Sequence, residues 1–333
     1  MSMLNKMTLV GLSHVLVILA FAITVSAADN TGKWGPDDQL GTLNYITPQV
    51  RKNAAKLVRS GKVFNVALDI KSNMPTYPGR NYQHNLTIFP SATASEGSGI
   101  GVSDDLIIMH QQYSTHWDGF PHFGYDGKFF NDVPVSVVTP QGTHKHSIHL
   151  WVDKIVTRGV LLDVAKYKGK EYLEKGYIIT SDDLQGTAKT QGVVVKSGDC
   201  LLIRTGWIIK LLEQKWPLRG DEMSELGEPG IGYDAAQWLH EKEVACLVMD
   251  NTGIEPIPFD PLASEKVLMN RSKSWPMHVE FLVNMGMPLG ELFDFEELAV
   301  DCSDDGQYEF MFIAPPLRIV GGVGSPLSPV AVK

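Results

Sequence analysis

Apolar residues recur along this chain with two periods, one suited to helices and one to short buried strands. Thr47 followed by Pro48 is an N-cap with proline in the first helical position, and the helix through Val50, Ala54, Ala55 and Leu57 stops at Gly61. A strand is predicted at Val63 to Leu68, followed by the turn-rich loop Met74 to Gly79 and the apolar run Leu106 to Met109. Gly159 to Asp163, Cys200 to Arg204 and Val244 to Met249 are β-branched or aliphatic runs bounded by glycine or charge, as buried strands are. Asp234 is expected to cap a helix through Trp238 to Lys242. Pro276 opens another, carrying Met277, His278, Phe281 and Leu282 and ending at Gly286; Asp294 caps a short one at Phe295 to Ala299. Tyr308 to Ile313 returns as a strand. Strands and helices are mixed throughout, so the class is α/β with non-local pairing.

The N-terminus changes the picture of where the mature chain starts. Lys6 supplies a positive region, Leu9 to Val25 is largely apolar, and Val25-Ser26-Ala27 offers small residues for cleavage. Residues 1–27 are expected to be an export signal, leaving a secreted or periplasmic protein that begins near Ala28 and keeps no stable membrane association. A membrane anchor is the rival, but Ser13 and His14 interrupt the apolar run. Residues 28–333 show no linker, charge block or repeat and are expected to form one domain. The net charge of −9 comes without a basic stripe, which excludes nucleic acid and favours small-molecule chemistry. Cys200, Cys246 and Cys302 lack C-x-x-C spacing and read as buried thiols. Gly321, Gly322 and Gly324 are not a phosphate loop, since no helix pattern or Lys-Ser/Thr follows them.

The chemistry concentrates in Gln112-Tyr113-Ser114-Thr115-His116-Trp117-Asp118-Gly119-Phe120-Pro121-His122. An imidazole, a carboxylate and a second imidazole suit borderline divalent metals. If the segment is extended, His116 and Asp118 point to one side, because strand side chains alternate. Gly119 and Pro121 then break the strand, so His122 can turn back toward the same point. His144, His146 and His149 form a second run, expected to be a surface loop-to-strand segment.

That central motif resembles the signature of the cyclase family of metal-dependent hydrolases, His-x-Gly-Thr-His-x-Asp-x-Pro-x-His. The family includes bacterial kynurenine formamidases, isatin hydrolase-like enzymes and a trans-dienelactone hydrolase. Trp34 to Asp38, Met74 to Gly79, Arg158 to Asp163 and Gly198 to Trp207 are similar to further family stretches, in order along nearly the whole mature chain. The family's C-terminal ligand pair, a His followed about a dozen residues later by a Glu, resembles His278 and Glu291. The resemblance implies a swivelling β/β/α fold, with a mixed sheet and flanking helices. It also implies a divalent ion, zinc or manganese, and a family tendency toward homo-oligomers. Two departures stand out. Gln112 replaces the first His and Ser114 the Gly, and because the first His helps hold one of two zinc ions in binuclear members, one ion per chain is expected here.

The implied activity is hydrolysis of an amide or lactone bond in a small cyclic or aromatic substrate through activated water; no Gly-x-Ser-x-Gly elbow offers a serine route. The rivals are a lyase or cyclase that stabilises an enolate, and an exported binding protein that has lost catalysis. His116, Asp118, His122, Glu291 and Gln112 are the candidate ligands, with His122 and His278 able to complete the shell or act as general base. Glu280 is the substitute for Glu291. Asp250, Thr252 and Glu255 follow a strand, where loops carry function. Trp117, Phe120, Phe123 and Trp207, with Trp275, are candidates for an aromatic substrate wall.

Overall fold

A computed structural model describes residues 28–88 and 99–333; the expected export signal, residues 1–27, lies outside the described residues. Nine strands form the principal sheet: β1 (Val63–Asn65), β2 (His116–Asp118), β3 (Val156–Asp163), β4 (Cys200–Arg204), β5 (Cys246–Met249), β6 (Leu289–Glu291), β7 (Glu309–Ile313), β8 (Gly324–Pro326) and β9 (Val330–Val332). Across the sheet they run β1-β9-β7-β3-β4-β5-β6-β2-β8. The four central strands β3 to β6 run parallel to one another, while every pairing outside them is antiparallel. Parallel strands covered on both faces need continuous apolar sequence, and Val160 to Leu162, Leu201 to Ile203 and Cys246 to Met249 are fully buried. All three cysteines are buried free thiols.

Helices Ser181–Gln191, Tyr233–Glu241 and Glu296–Asp305 flank this sheet. Several boundaries differ from expectation for identifiable reasons. Asp234 lies inside the first turn of its helix and accepts from the Ser181 N–H and hydroxyl, while Asp260 takes the Tyr233 N–H. The helix after Asp294 runs to Asp305 because Gly306, at φ 71°, supplies the left-handed end. Pro276–His278 continues as a π-helix over Val279–Met285 and ends at Gly286, at φ 61°. The apolar run Leu106 to Met109 belongs to the strand Asp104–Met109, which pairs antiparallel with Tyr82–Ile88 in a hairpin that exposes Leu106, Ile107 and Ile108.

In the second histidine run His144 is exposed and His149 half-buried, so the correction concerns His146. His146 is fully buried, its Nε2–H donating to the Phe130 carbonyl at 2.9 Å and its ring set against Phe120 and Phe130. The backbone of His146 is left-handed at φ 58°, so the chain turns the ring inward. Among the described residues no helix is long and apolar enough to cross a membrane.

Candidate metal centre

The register of β6 on β2 builds the centre. Leu289, Gly290 and Glu291 lie opposite Asp118, Trp117 and His116, so Glu291 is the cross-strand neighbour of His116. Alternation puts His116 and Asp118 on the same face, and directly opposed residues share a face. His116, Asp118 and Glu291 therefore converge, with one ligand atom from each lying within 4.8 Å of the others. Trp117, between them, must point the other way. It is fully buried there, edge-on to Phe293, with its indole N–H on the Ala314 carbonyl at 2.8 Å. Gly290 makes room for it, since a Cβ at that position would meet the Trp117 and Phe293 rings at 3.0 and 2.9 Å.

The three groups face each other as acceptors. The His116 Nδ1–H donates to the Ser114 carbonyl at 2.7 Å, which leaves Nε2 turned toward the carboxylates. It sits 3.4 Å from Asp118 Oδ1 and 3.3 Å from Glu291 Oε2. None of those contacts has hydrogen-bond geometry: His116 Nε2 and both Asp118 oxygens are buried without a hydrogen-bond partner. Buried polar atoms are almost always paired, so converging orphaned acceptors fit a cation. An imidazole and two carboxylates are donors that both zinc and manganese accept.

Electrostatics agree. Burial works against protonating His116, but Asp118 and Glu291 outweigh it and hold the imidazole up at about 9. For Asp118, burial acts upward, yet His122, His116 and His278 keep the carboxyl well below the usual range. Burial and Asp118 push Glu291 up, and the His116 and His278 imidazoles bring it below its ordinary value. The cluster is thus a sink for positive charge.

Around it stand two further imidazoles. His122 Nε2 is 3.6 Å from Asp118 Oδ1, and its side chain is 21% exposed, the most exposed of the group. Its pKa is pushed down, by burial first, with Arg80 and His278 adding to this against the pull of Asp118. His278 Nε2 lies 3.1 Å from Glu291 Oε1 and 3.9 Å from Asp118 Oδ2. Its other face is held by Glu255, whose Oε1 accepts from the His278 backbone N–H at 2.8 Å and lies 3.1 Å from Nδ1. Burial opposes the His278 cation, but Glu255 and Glu291 raise it to about 10.

Other expected site residues fall elsewhere. Gln112 is turned toward His122, its Nε2 3.4 Å from Nδ1. Phe120 is fully buried against Phe130 and Trp151, and Trp207 packs edge-on to Tyr172 in a separate cluster with Leu68 and Tyr113; neither walls the centre. Glu280 binds Gln237, Asn284 and the Ala28 N–H, so it does not stand in for Glu291. Asp250 holds the Thr205 and Gly206 N–H groups, and Thr252 pairs with buried Glu228. Phe123 does reach the site, its ring 4.6 Å from His278, and so does Trp275, at 5.1 Å. Tyr77 and Phe259, which sequence did not single out, meet Trp275 at 5.5 and 5.3 Å. Glu255 is legible in the sequence only as a loop residue, and no local pattern ties it to His278.

Three comparisons bear on this geometry. The family model described as "Putative cyclase" matches residues 11–256. A crystal structure described as a novel cyclase is 37% identical, covering 92% of this chain and 99% of its own, with a TM-score of 0.81. Isatin hydrolase A from Ralstonia solanacearum superposes at 18% identity and a TM-score of 0.53, over 81% of this chain and 91% of that one. An isatin hydrolase bound to the product analogue thioisatinate does so at 16% and 0.54, over 86% and 99%. No curated protein sequence matches. The mixed sheet with flanking helices is the fold of these structures, and this chain belongs to the cyclase family.

Proposed function

We propose that this protein is a metal-dependent hydrolase that opens an amide (C–N) or lactone (C–O) bond of a small cyclic or aromatic substrate. The observation that carries this is the buried convergence of His116 Nε2, Asp118 and Glu291 as acceptors without hydrogen-bonded protons between them, beside a half-buried His122. His116, Asp118 and Glu291 would hold a zinc or manganese ion, which when bound would supply Lewis acidity and lower the pKa of water to roughly 7. The chain's own residues do the rest. His122, partly exposed beside Asp118 and with its pKa pushed down by burial, is the group placed to accept the proton of the attacking water. His278 is oriented by Glu255 and faces the same point from the opposite wall. Phe123, Trp275, Tyr77 and Phe259 offer a planar substrate apolar walls.

One ion per chain goes with this reading, because Gln112 faces His122 and supplies at best a weak oxygen ligand. An exported chain beginning near Ala28 is the accompanying proposal for location, resting on the leader's composition, and intact mass from the native host tests it. Homo-oligomerisation is supported by the exposed Leu106, Ile107 and Ile108 of the hairpin. The activity is tested by a screen of N-formyl, lactone and cyclic-amide compounds with the metal-loaded protein. Turnover of one class that vanishes on chelation and returns with zinc or manganese is expected; turnover indifferent to chelation contradicts the reading.

A further inference from the structure

Arg80 stands one link from the metal group. Its guanidinium donates to the Gln112 carbonyl at 2.8 Å, and the amide of Gln112 lies against His122. It also lies over the Tyr77 ring at 5.6 Å, on the aromatic wall that continues through Trp275 to His278. The side chain is half-buried, yet among the described residues no carboxylate comes within ion-pair distance of it. Arg158 and Arg204, by contrast, each pair with two carboxylates. Partly desolvating a cation with five donors and giving it no anion is unfavourable unless something else supplies one.

A second observation lies beside it. Arg80 lines a cavity of about 200 Å³ together with Thr76, Asn73, Asn81, Tyr82 and Tyr113. Thr76 is 2% exposed, and its hydroxyl is buried without a hydrogen-bond partner. Tyr82 stacks on Tyr113 at 5.4 Å and gives the cavity a rigid aromatic side. Arg80 is the single cationic residue in the lining, which matches one negative charge and not a dianion. A carboxylate fits these groups: its oxygens can take two guanidinium N–H groups side by side, and the free Thr76 hydroxyl can donate as well.

We infer that this cavity receives a carboxylate carried by the substrate, with Arg80 as its ion partner and Thr76 as a second donor. The substrate class is then a planar or aromatic carboxylic acid whose scissile carbonyl reaches the metal group while its anion sits on Arg80. The reacting end of this inference rests on the hydrolase reading; the anion site does not.

The test is calorimetric titration of sodium benzoate and of its neutral counterpart benzamide into the metal-loaded full chain. Benzoate is expected to bind at least about ten-fold tighter than benzamide, in keeping with charge-assisted hydrogen bonds. Arg80→Gln removes that preference and leaves benzamide affinity unchanged, while Arg80→Lys keeps part of it. Thr76→Val weakens benzoate by roughly two- to five-fold and serves independently if Arg80→Gln does not fold. The same titration on His116→Ala separates the anion site from the ion. A preference that persists there and depends on Arg80 supports the inference even if the wild type proves metal-free and inactive. A wild type without preference overturns it. So does a preference that survives Arg80→Gln but vanishes in His116→Ala, since the carboxylate is then on the metal, which leaves the hydrolase reading standing.

Discussion

Two parts of one sheet bury the same kinds of charge and do opposite things with them. On β3 and β4, Arg158 spans Asp199 and Glu309, and Arg204 spans Asp163 and Glu296, with leftover donors on the Val194 and Glu171 carbonyls. Every carboxylate there meets a cationic donor. At β2 and β6, an imidazole lone pair and two carboxylates meet one another, and three of those atoms have no hydrogen-bond partner. Burial alone therefore does not mark a functional site. What marks it is a buried convergence of basic atoms that draws in positive charge, a proton on His116 when no ion is bound and a divalent cation when one is.

The largest effect that sharpens this contrast comes from Asp118→Ala. Loss of a ligand should reduce bound zinc or manganese to background and lower turnover by about 10³-fold or more, with folding retained. Metal analysis and kinetics on the same preparation check this, and full occupancy with an unchanged rate would break the comparison. Arg158→Met should do the converse. It strands Asp199 and Glu309, costing about 3–5 kcal/mol of stability in urea titrations, while metal content and rate per folded molecule stay the same.

Asp250 is an intermediate case, a fully buried carboxylate with three donors but no ion-paired cation. Burial raises it to about 6 in spite of Thr205 and Arg204. A carboxyl with a raised folded-state pKa binds its proton more tightly in the native protein. Its contribution is therefore present below the unfolded value near 3.8 and is lost as pH rises through about 6. The stability difference between wild type and Asp250→Asn should shift against the wild type by about 3 kcal/mol at most between pH 4 and 7. A difference that does not move with pH would contradict this. The smallest effect is expected at Glu255→Gln, which keeps the shape but weakens the hold on His278. Metal affinity should fall by about 10- to 100-fold, read by competition with a chelator, with melting in the metal-free state barely changed.

Period-two alternation was enough to place His116 and Asp118 on one face from sequence. The same rule sends Trp117 to the opposite face, so its expected role as a substrate wall conflicted with the ligand assignment it stood beside. Glu291 was legible only through family resemblance. Its position depends on β6 pairing with β2 across a separation of 175 residues, which no local pattern encodes. Glu255 is harder still, because its partner is both a backbone N–H and a ring nitrogen of His278, brought close by the start of the Pro276 helix. Phe120 and Trp207 were misplaced because an aromatic side chain near a motif reads the same whether it faces a cleft or the core. The central strands were legible because full burial on both faces demands unbroken apolar runs.

The central claim is that His116, Asp118 and Glu291 together hold one divalent ion, and anomalous diffraction from crystals of the full chain titrated with zinc or manganese tests it most directly. The account predicts a single peak per chain within coordinating distance of His116 Nε2, an Asp118 oxygen and a Glu291 oxygen, with the peak absent in Asp118→Ala. A peak elsewhere, or none at saturating metal, would contradict the claim. Two peaks a few ångströms apart would contradict the single-ion stoichiometry and make Gln112 a working ligand.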